Sequence, residues 1–417
     1  MPRRRREVSP GRFRLRSRAL GLALGAGLLF LVGTNVQSGW VFVLSALLLG
    51  VVLAGAVLPF GGARGVTVVR RAPAEAFVGD EVRVDLVIAN PTRKPRLWLS
   101  VRDPFVARSV VYLEALGAEG STTLSTKRVA ARRGVVDGGP VVVSTSAPFG
   151  VAEVRRNVPA AGRVVVFPRI VPVAAMPFLA DPSGGSELKV ARGRGEGREF
   201  HGIREYQRGD SLRHVHWPST ARHGSLVVRE FERERPARVT VVVDTLGDSV
   251  ALGDEETALD RCCSAAASVA LEALRLGHGV TVAAARDGRL AVLEDADRTG
   301  ALTLLAEARA SGGMTLSEAV VATPDSPTVL LAFPTWRSNS AALLVPAVER
   351  LVGAGSRVAA VAVEVAPATS RAEPALSEAE TDELMVALAA AGADATLVRA
   401  GATVADALSS AFAGAAR

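Results

Sequence analysis

The sequence predicts three parts: an N-terminal transmembrane helical hairpin, an all-β sandwich and a C-terminal open α/β sheet. The run from Ala19 to Ala63 contains no charged residue and is long enough for two membrane-spanning helices. Short apolar runs broken by Gly and Pro occupy residues 64–172, as in all-β domains. Strands of the buried type alternate with helical patterns over residues 236–417, which favours an open, mostly parallel sheet.

The distribution of charge and the cysteine content limit the classes of protein to which this chain can belong. Residues 1–18 hold eight arginines and one glutamate, which equals the net charge of +7 of the whole chain. The remainder is therefore neutral, and nothing in its charge suggests a basic nucleic-acid-binding face on the folded part. Cys262 and Cys263 are adjacent and are the only cysteines, so the chain has no disulfide framework and fits a reducing compartment.

The uncharged run is interpreted as two transmembrane helices within residues 19–60, at about Ala19–Gly33 and Trp40–Leu58, with a polar turn between them. The arginine-rich tail of residues 1–18 is expected to stay in the cytoplasm, so both ends of the hairpin face that side. A cleaved signal peptide is the alternative. The second apolar span and the lack of an Ala-x-Ala cleavage site argue against it.

Residues 64–172 are predicted to form an immunoglobulin-like sandwich. The strands carry partial alternation or short apolar runs and are separated by turn residues. They are expected at Val82–Ile88, Leu97–Val101, Val141–Val143 and Val164–Phe167. Residues 173–196 are rich in Pro, Gly and Ser and are interpreted as a linker.

Residues 197–235 form a segment in which histidines, aromatic residues and alternating charges are concentrated. Arginine and carboxylate side chains at this density suggest ion pairs in which a guanidinium holds two oxygens. The candidates for this ion-pair network are Arg204, Glu205, Arg208, Asp210 and Arg213.

This segment resembles the signature of the domain-of-unknown-function family 58. The spacing holds from Gly197 to Arg222, with His216 in place of an acid and Pro218 in place of a lysine. The matching positions proposed as structural or partner-binding residues are Arg204, Glu205, Tyr206, Gly209, Asp210, Arg213, Trp217 and Arg222. The sandwich resembles the family too, at Gly79-Asp80, Asn90, Arg133-Gly134, Pro148-Phe149-Gly150 and Phe167-Pro168-Arg169.

A different interpretation of the same segment is enzymatic. His214 and His216 fall on one face of an extended chain, and Asp210 and Glu205 lie nearby in sequence. Such a His/Asp/Glu cluster is the type of ligand and acid–base set that a metal-assisted hydrolase uses. A nucleophile with matching spacing is not evident, and this hydrolase remains the second hypothesis.

The C-terminal part, residues 236–417, reads as an α/β domain in which Asp287-Gly288 turns one hairpin. Strands are predicted at Val239–Val243, Val280–Ala285, Leu290–Leu293, Thr328–Phe333, Arg357–Val363 and Ala395–Val398. Helices are predicted at Thr257–Leu276, Ala301–Ala310, Asn339–Val352, Glu378–Ala391 and Val404–Phe412.

This order resembles a von Willebrand factor A-like domain, which implies a divalent cation site beyond the strand ends. Asp244, Asp248 and Thr315 are the degenerate candidates for that site. The cation-binding motif of such domains has a serine two residues after the aspartate, but Leu246 stands at that position here. A further acidic residue is expected after the strand that ends at Phe333, but the chain continues with Pro-Thr. The predicted oxygen set is therefore too poor for Mg²⁺, and we expect no metal or other cofactor.

The expected function is that of a non-enzymatic, multi-pass scaffold or adaptor in the inner membrane, with its folded domains in the cytoplasm. The family resemblance implies protein partners, in particular a MoxR-type AAA+ ATPase active in envelope protein assembly. The lipid bilayer is the other expected partner, and nucleic acid is not expected.

Overall fold

A computed structural model describes residues 12–106, 110–173, 200–206, 215–231, 238–246, 257–286, 288–310, 314–365, 375–399 and 401–413. The chain divides into two compact units. The first unit comprises Met1–Ile170, Ser249–Ala267 and Leu302–Arg309, and the second comprises Val171–Asp248, Ser268–Ala301 and Ala310–Arg417. The predicted linker, residues 173–196, falls almost entirely outside the described residues.

The first unit begins with helices that are long and apolar enough to cross a membrane. The helices are Ser17–Val36 (α1), Gly39–Val57 (α2) and the short Pro59–Gly62 (α3). Most apolar side chains of α1 and α2 are exposed, unlike those of a core helix in a soluble protein. Thr34 belongs to α1 and not to the predicted turn, because its hydroxyl donates to the Leu31 carbonyl. The turn is thereby reduced to Gln37-Ser38.

The β-rich part of the first unit follows this hairpin. Its strands are Arg12–Leu15 (β1), Thr67–Arg71 (β2), Glu75–Phe77 (β3), Glu81–Ala89 (β4), Arg96–Arg102 (β5), Val110–Leu116 (β6), Ser121–Val129 (β7), Gly134–Asp137 (β8), Val141–Thr145 (β9), Ala152–Val158 (β10) and Arg163–Phe167 (β11). They form sheet A (β1-β10-β9-β5-β6), sheet B (β2-β4-β7) and sheet C (β3-β11-β8). Alternate residues of β4, β5, β9 and β11 meet in one apolar core, as a period of two requires.

The basic tail is not a free extension along its whole length. Arg12, Phe13, Arg14 and Leu15 form β1, which pairs antiparallel with β10 at the edge of sheet A. The alternation of basic and apolar residues has the period of a strand, so this pairing is compatible with the sequence.

The hairpin and the β-rich part meet through close contacts within the first unit. A Cβ atom at Gly55 would lie 2.8 Å from Val151 Cβ, and one at Gly62 would lie 2.5 Å from Thr145 Cγ2. Because real Cβ atoms do not approach other atoms so closely, glycine is required at both positions. Phe13 of β1 stacks on Phe60 of α3 with ring centroids 5.1 Å apart.

The second unit contains sheet E of the α/β domain. Its strands are Arg238–Val243 (β14), Gly279–Arg286 (β15), Arg289–Leu293 (β16), Thr328–Pro334 (β17), Arg357–Val363 (β18) and Ala393–Val398 (β19), in the order β16-β15-β14-β17-β18-β19. All pairs are parallel except β15 with β16. The predicted α/β class is confirmed, and the order reverses direction at β14 and β17.

Helices connect these strands. They are Ala258–Arg275 (α5), Arg298–Glu307 (α6), Leu316–Val321 (α7), Ala341–Gly353 (α8), Glu378–Ala390 (α9) and Val404–Ala413 (α10). Helix α7 was not predicted, because a six-residue helix is too short to show a periodic pattern.

The signature segment also lies in the second unit. It contains the strands Phe200–Glu205 (β12) and Val227–Phe231 (β13) and the helix Trp217–His223 (α4). The two strands pair antiparallel as sheet D, and Val215 forms an isolated bridge with Val228.

Candidate functional site

The best-defined polar cluster lies at the carboxyl end of sheet E, at the neighbouring strands β14 and β17, from which the strand order runs in opposite directions. Open α/β sheets place ligands at such a switch point. Asp244 follows β14 and is buried, and its backbone N–H donates to the Ala332 carbonyl at 2.9 Å. Asp244 Oδ1 accepts a hydrogen bond from the Leu246 backbone N–H at 2.8 Å. One carboxylate oxygen is thus held by its own loop.

The other oxygen of Asp244 is held by Asn339. Asn339 Nδ2 donates to Asp244 Oδ2 at 2.6 Å and to the Pro334 carbonyl at 2.9 Å. Both partners are acceptors, so the amide NH₂ group must face them and the amide orientation is fixed. Asn339 is itself buried. Both oxygens of the buried Asp244 carboxylate therefore accept a hydrogen bond from the protein.

The loop after β17 brings Asn339 into this position. Thr335 Oγ1 accepts from the Val365 backbone N–H at 3.1 Å, and Trp336 is fully buried beside it. A short 3-10 turn, Arg337–Asn339, then places the Asn339 side-chain amide beside Asp244. Sequence reasoning sought an acid immediately after β17 and missed an amide five residues after Pro334. The signal in the sequence that could have located Asn339 is the group of polar residues that follows the fully buried strand β17.

Of the two other cation candidates, Thr315 has a helix-capping role in the described structure. Thr315 is the N-cap of α7, and its hydroxyl accepts from the Glu318 backbone N–H at 3.2 Å while the Glu318 carboxylate accepts from the Thr315 N–H at 2.8 Å. This reciprocal capping box accounts for the Thr-x-x-Glu spacing. Asp248 lies outside the described residues. Across the described ranges, no three His, Cys, Asp or Glu side chains converge as metal ligands would.

The signature segment is built on sheet D. The register places Arg204 opposite Val228 and Glu205 opposite Val227, and the Tyr206 N–H donates to the Leu226 carbonyl at 2.8 Å. Tyr206 is half-buried. Backbone pairing thus holds the first part of the signature against its end.

Helix α4 presents one of the aromatic residues of the signature. Trp217 is 66% exposed, and Arg222 on the same helix is exposed too. Pro218 occupies the first turn, where the absent N–H has no intrahelical partner to lose, so it fits this helix start. Gly224 ends the helix with a φ of 70°, a conformation that glycine adopts without strain.

His216 is the one histidine of the proposed hydrolase cluster whose side chain is described. Its Nδ1 lies 2.7 Å from Ser219 Oγ, and its backbone N–H donates to the Val227 carbonyl at 2.8 Å. The backbone hydrogen bond attaches the start of α4 to β13, and the side-chain contact lies within the first turn of α4. Gly209, Asp210, Arg213 and His214 lie outside the described residues. The ion-pair network and the hydrolase cluster therefore remain predictions.

Arg133, singled out by the family resemblance, lies in a defined site of the first unit. Its Nε lies 2.8 Å from Asp260 Oδ1, in the first turn of α5. Its Nη1 donates to the carbonyls of Leu305 and Ala308, at the end of α6. A cation is favoured at a helix C-terminus, where carbonyl groups lack intrahelical partners.

The two cysteines are packing residues. Cys262 and Cys263 are buried on α5, and neither forms a disulfide. Burial raises the pKa of the Cys263 thiol to about 11, so it stays protonated at neutral pH. A protonated, inaccessible thiol is a poor nucleophile.

Comparison with known proteins gives a family match for one part of the chain. No curated protein sequence matches the chain. Among solved structures, the solution structure of the CARDB domain of a Pyrococcus furiosus protein matches with a TM-score of 0.17 and 11% identity, covering 24% of this chain and 94% of that domain. The family model described as "Protein of unknown function DUF58" matches residues 202–328, so the signature segment and the first half of the α/β domain carry the pattern of that family.

Proposed function

We propose that this protein is a non-enzymatic, membrane-anchored scaffold or adaptor that presents a von Willebrand factor A-like α/β domain to protein partners. The observation that carries the proposal is the hydrogen bond from Asn339 to Asp244. A related fold that binds a cation would use a carboxylate at the switch point as a ligand. In this chain the Asp244 carboxylate at that point accepts a hydrogen bond from the Asn339 amide. A recognition surface that needs no metal suits an adaptor.

The anchor is the helical hairpin of α1 and α2. Their length, apolar composition and exposed side chains support insertion in a bilayer. The arginine-rich N-terminus favours a cytoplasmic orientation at the inner membrane, by the positive-inside rule. The β-rich part, interpreted as an immunoglobulin-like sandwich, would then act as a spacer fixed to the hairpin through Gly55 and Gly62.

The partner surface is proposed to include Trp217 and Arg222 of α4. Tryptophan and arginine are enriched among residues that dominate the binding energy of protein interfaces. Trp217 is largely exposed, so its burial against a partner would remove much apolar surface from water. The family resemblance suggests a MoxR-type AAA+ ATPase as this partner, in the assembly of envelope proteins.

A photo-crosslinking amino acid at position 217 of the full chain in membranes tests the proposal. We expect a crosslinked AAA+ ATPase, identified by mass spectrometry, and no such product from the matched probe at Val386, an equally exposed residue on α9. Repeated membrane pull-downs without any AAA+ ATPase would count against the partner. Stoichiometric zinc that is lost in a His216→Ala variant would favour the hydrolase instead.

A further inference from the structure

The outer face of sheet A carries a cavity of about 590 Å³ that no step of the proposed scaffold function uses. Its lining combines arginines, hydroxyl groups and exposed aromatic rings from β5, β6, β9 and β10, together with the residue that follows β1. The residues important here are Arg16, Trp98, Arg102, Tyr112, Glu153 and Arg155. All of them belong to the first unit.

The cavity lies next to the start of the first membrane helix. Arg16 lines it and directly precedes Ser17, the first residue of α1. Thr145 also lines it and touches Gly62 at the end of α3. The backbone N–H of Arg16 donates to the Val151 carbonyl at 3.0 Å, which fixes the helix start to the sheet. If α1 and α2 are in a bilayer, the cavity is therefore at the level of the lipid headgroups.

The charges in the cavity are arranged before any ligand binds. Glu153 accepts hydrogen bonds from Arg155 Nε at 2.8 Å, from Arg16 Nη2 at 3.2 Å and from Ser144 Oγ at 3.0 Å. These contacts hold two guanidinium groups at one wall. Arg102 adds a third positive charge, and Glu114 is the second carboxylate in the lining. The lining thus carries one more positive than negative charge, which favours a monoanion.

Trp98 has a backbone conformation that a bulky residue rarely adopts. Its φ is 53°, in the left-handed region, and 61% of its surface is exposed. Strain of this kind persists where the surroundings enforce it and clusters at binding sites. Tyr112, on the neighbouring strand, is 78% exposed. Tryptophan and tyrosine are the residues that favour the membrane–water interface, where one side of the ring is apolar and the other is wet.

We propose that this cavity binds the headgroup of an anionic phospholipid. Arg102, with Arg16 and Arg155, would hold the phosphate, and Trp98 and Tyr112 would pack against the glycerol part. The inference uses the membrane association of the hairpin and goes beyond the scaffold role, since it requires neither the ATPase nor the α/β domain.

Calorimetric titration of the full chain in a neutral maltoside detergent tests the site. The probes are short-chain phosphatidylglycerol, short-chain phosphatidylcholine and inorganic phosphate. We expect phosphatidylglycerol to bind, and Arg102→Gln to weaken this binding about tenfold, the loss of one charged hydrogen bond. Arg93→Gln is the matched control, because Arg93 is an exposed arginine of the same unit that does not line the cavity. Equal binding of the two lipids, or equal loss in both variants, would overturn the proposal.

Titration with inorganic phosphate tests whether the site recognises the phosphate of a lipid headgroup or a free phosphate ion. If it binds as tightly as phosphatidylglycerol and depends on Arg102 in the same way, the site is a phosphate site and the lipid assignment is wrong.

The variant Trp98→Gly distinguishes a binding role from a structural one. Glycine adopts a positive φ without strain, so the melting temperature should not fall. Binding of phosphatidylglycerol should nevertheless weaken severalfold, because the ring that packs on the glycerol is gone. Unchanged binding in this variant would show that the strained tryptophan does not serve the site.

Discussion

Arg133 Nε lies 2.8 Å from Asp260 Oδ1, and the same guanidinium donates to the carbonyls of Leu305 and Ala308. One side chain of the loop before β8 therefore joins the first turn of α5 to the last turn of α6. The pair is shielded from solvent, with 5% and 15% of the two side chains exposed. Through it, two chain segments distant in sequence become part of the same compact unit as the β-rich part.

Replacement of Arg133 should destabilise the protein strongly. Arg133→Ala leaves the Asp260 carboxylate and the end of α6 without their shared guanidinium group, and breaking a buried pair in this way costs about 3 kcal/mol. Arg133→Lys should recover only part of the loss, because an ammonium group cannot reproduce the fork that reaches both helices. Urea unfolding of the full chain in detergent measures both free energies.

Arg163→Gln is the matched control for this experiment. Arg163 pairs with Glu307 at 3.0 Å at the end of the same helix α6, but 57% of its side chain is exposed. Exposed pairs are worth less than about 1 kcal/mol. Equal losses from the two arginines would contradict a special role of Arg133.

Asn339→Ala should destabilise the second unit by about 2 kcal/mol, since a buried carboxylate oxygen of Asp244 loses its donor. Asn339→Leu, which keeps the approximate volume of the side chain, should not rescue it. Thermal unfolding of the full chain gives the comparison. A loss below a few tenths of a kcal/mol would show that Asp244 finds another partner.

Asn339→Asp should convert the same cluster into a cation-dependent one. Two carboxylates would then face each other at the distance of a hydrogen bond, which is unfavourable unless a proton or a metal ion separates them. We expect a lower melting temperature without divalent ions and a partial recovery with Mg²⁺ or Ca²⁺. The unmodified protein should show neither effect, and a Mg²⁺-dependent rise in its melting temperature would contradict the scaffold proposal.

Thr315→Ala and Ser377→Ala should have equal effects. Both residues are N-caps in reciprocal capping boxes, with Glu318 and Glu380 respectively. Loss of such a cap costs about 1 kcal/mol. Denaturation with and without Mg²⁺ checks whether Thr315 does more than cap its helix. A Mg²⁺-dependent difference at Thr315 but not at Ser377 would identify it as a cation ligand.

Glu153 should make stability depend on pH in the acid range. Hydrogen bonds from Arg155, Ser144 and Arg16 lower the pKa of the Glu153 carboxyl from 4.5 to about 2. A carboxyl whose pKa is depressed by folding stabilises the native state above the unfolded value, and this contribution is lost as pH falls from 4.5 towards 2. With solvent screening of the half-exposed arginines taken into account, the contribution is about 2 kcal/mol.

The measurement is the difference in unfolding free energy between the unmodified chain and Glu153→Gln at several pH values. The difference should be constant above pH 5, shrink below it and disappear near pH 2. A difference that does not change over this range would show that the Glu153 pKa is not depressed.

Local pattern predicted the elements of this chain well. The strand expected at Val82–Ile88 lies within β4, and the buried run at Val239–Val243 lies within β14. Both runs have the period or the apolar content that burial of a strand demands, so their positions follow from sequence alone. The same holds for the two apolar helices.

Elements that depend on a distant partner were missed. Strand β1 exists because Arg12–Leu15 pairs with β10 across more than 130 residues of chain. Likewise, Arg70 forms a buried ion pair with Asp103 in the β-rich part, and the sequence analysis did not predict this pair. The sequence around Arg12–Leu15 and around Arg70 contains no pattern that indicates the distant partner.

The sequence by itself determined the two long apolar helices, the β-rich and α/β classes and the signature segment, because periodicity, apolar length and residue spacing are local properties of the chain. Only the tertiary structure decided that Asn339 donates a hydrogen bond to Asp244, that Arg133 joins two helices, and that arginines and aromatic rings from β5, β6, β10 and the residue after β1 line one cavity. These outcomes depend on which residues the folded backbone brings within hydrogen-bonding distance, and that choice is made by the packing of the whole core.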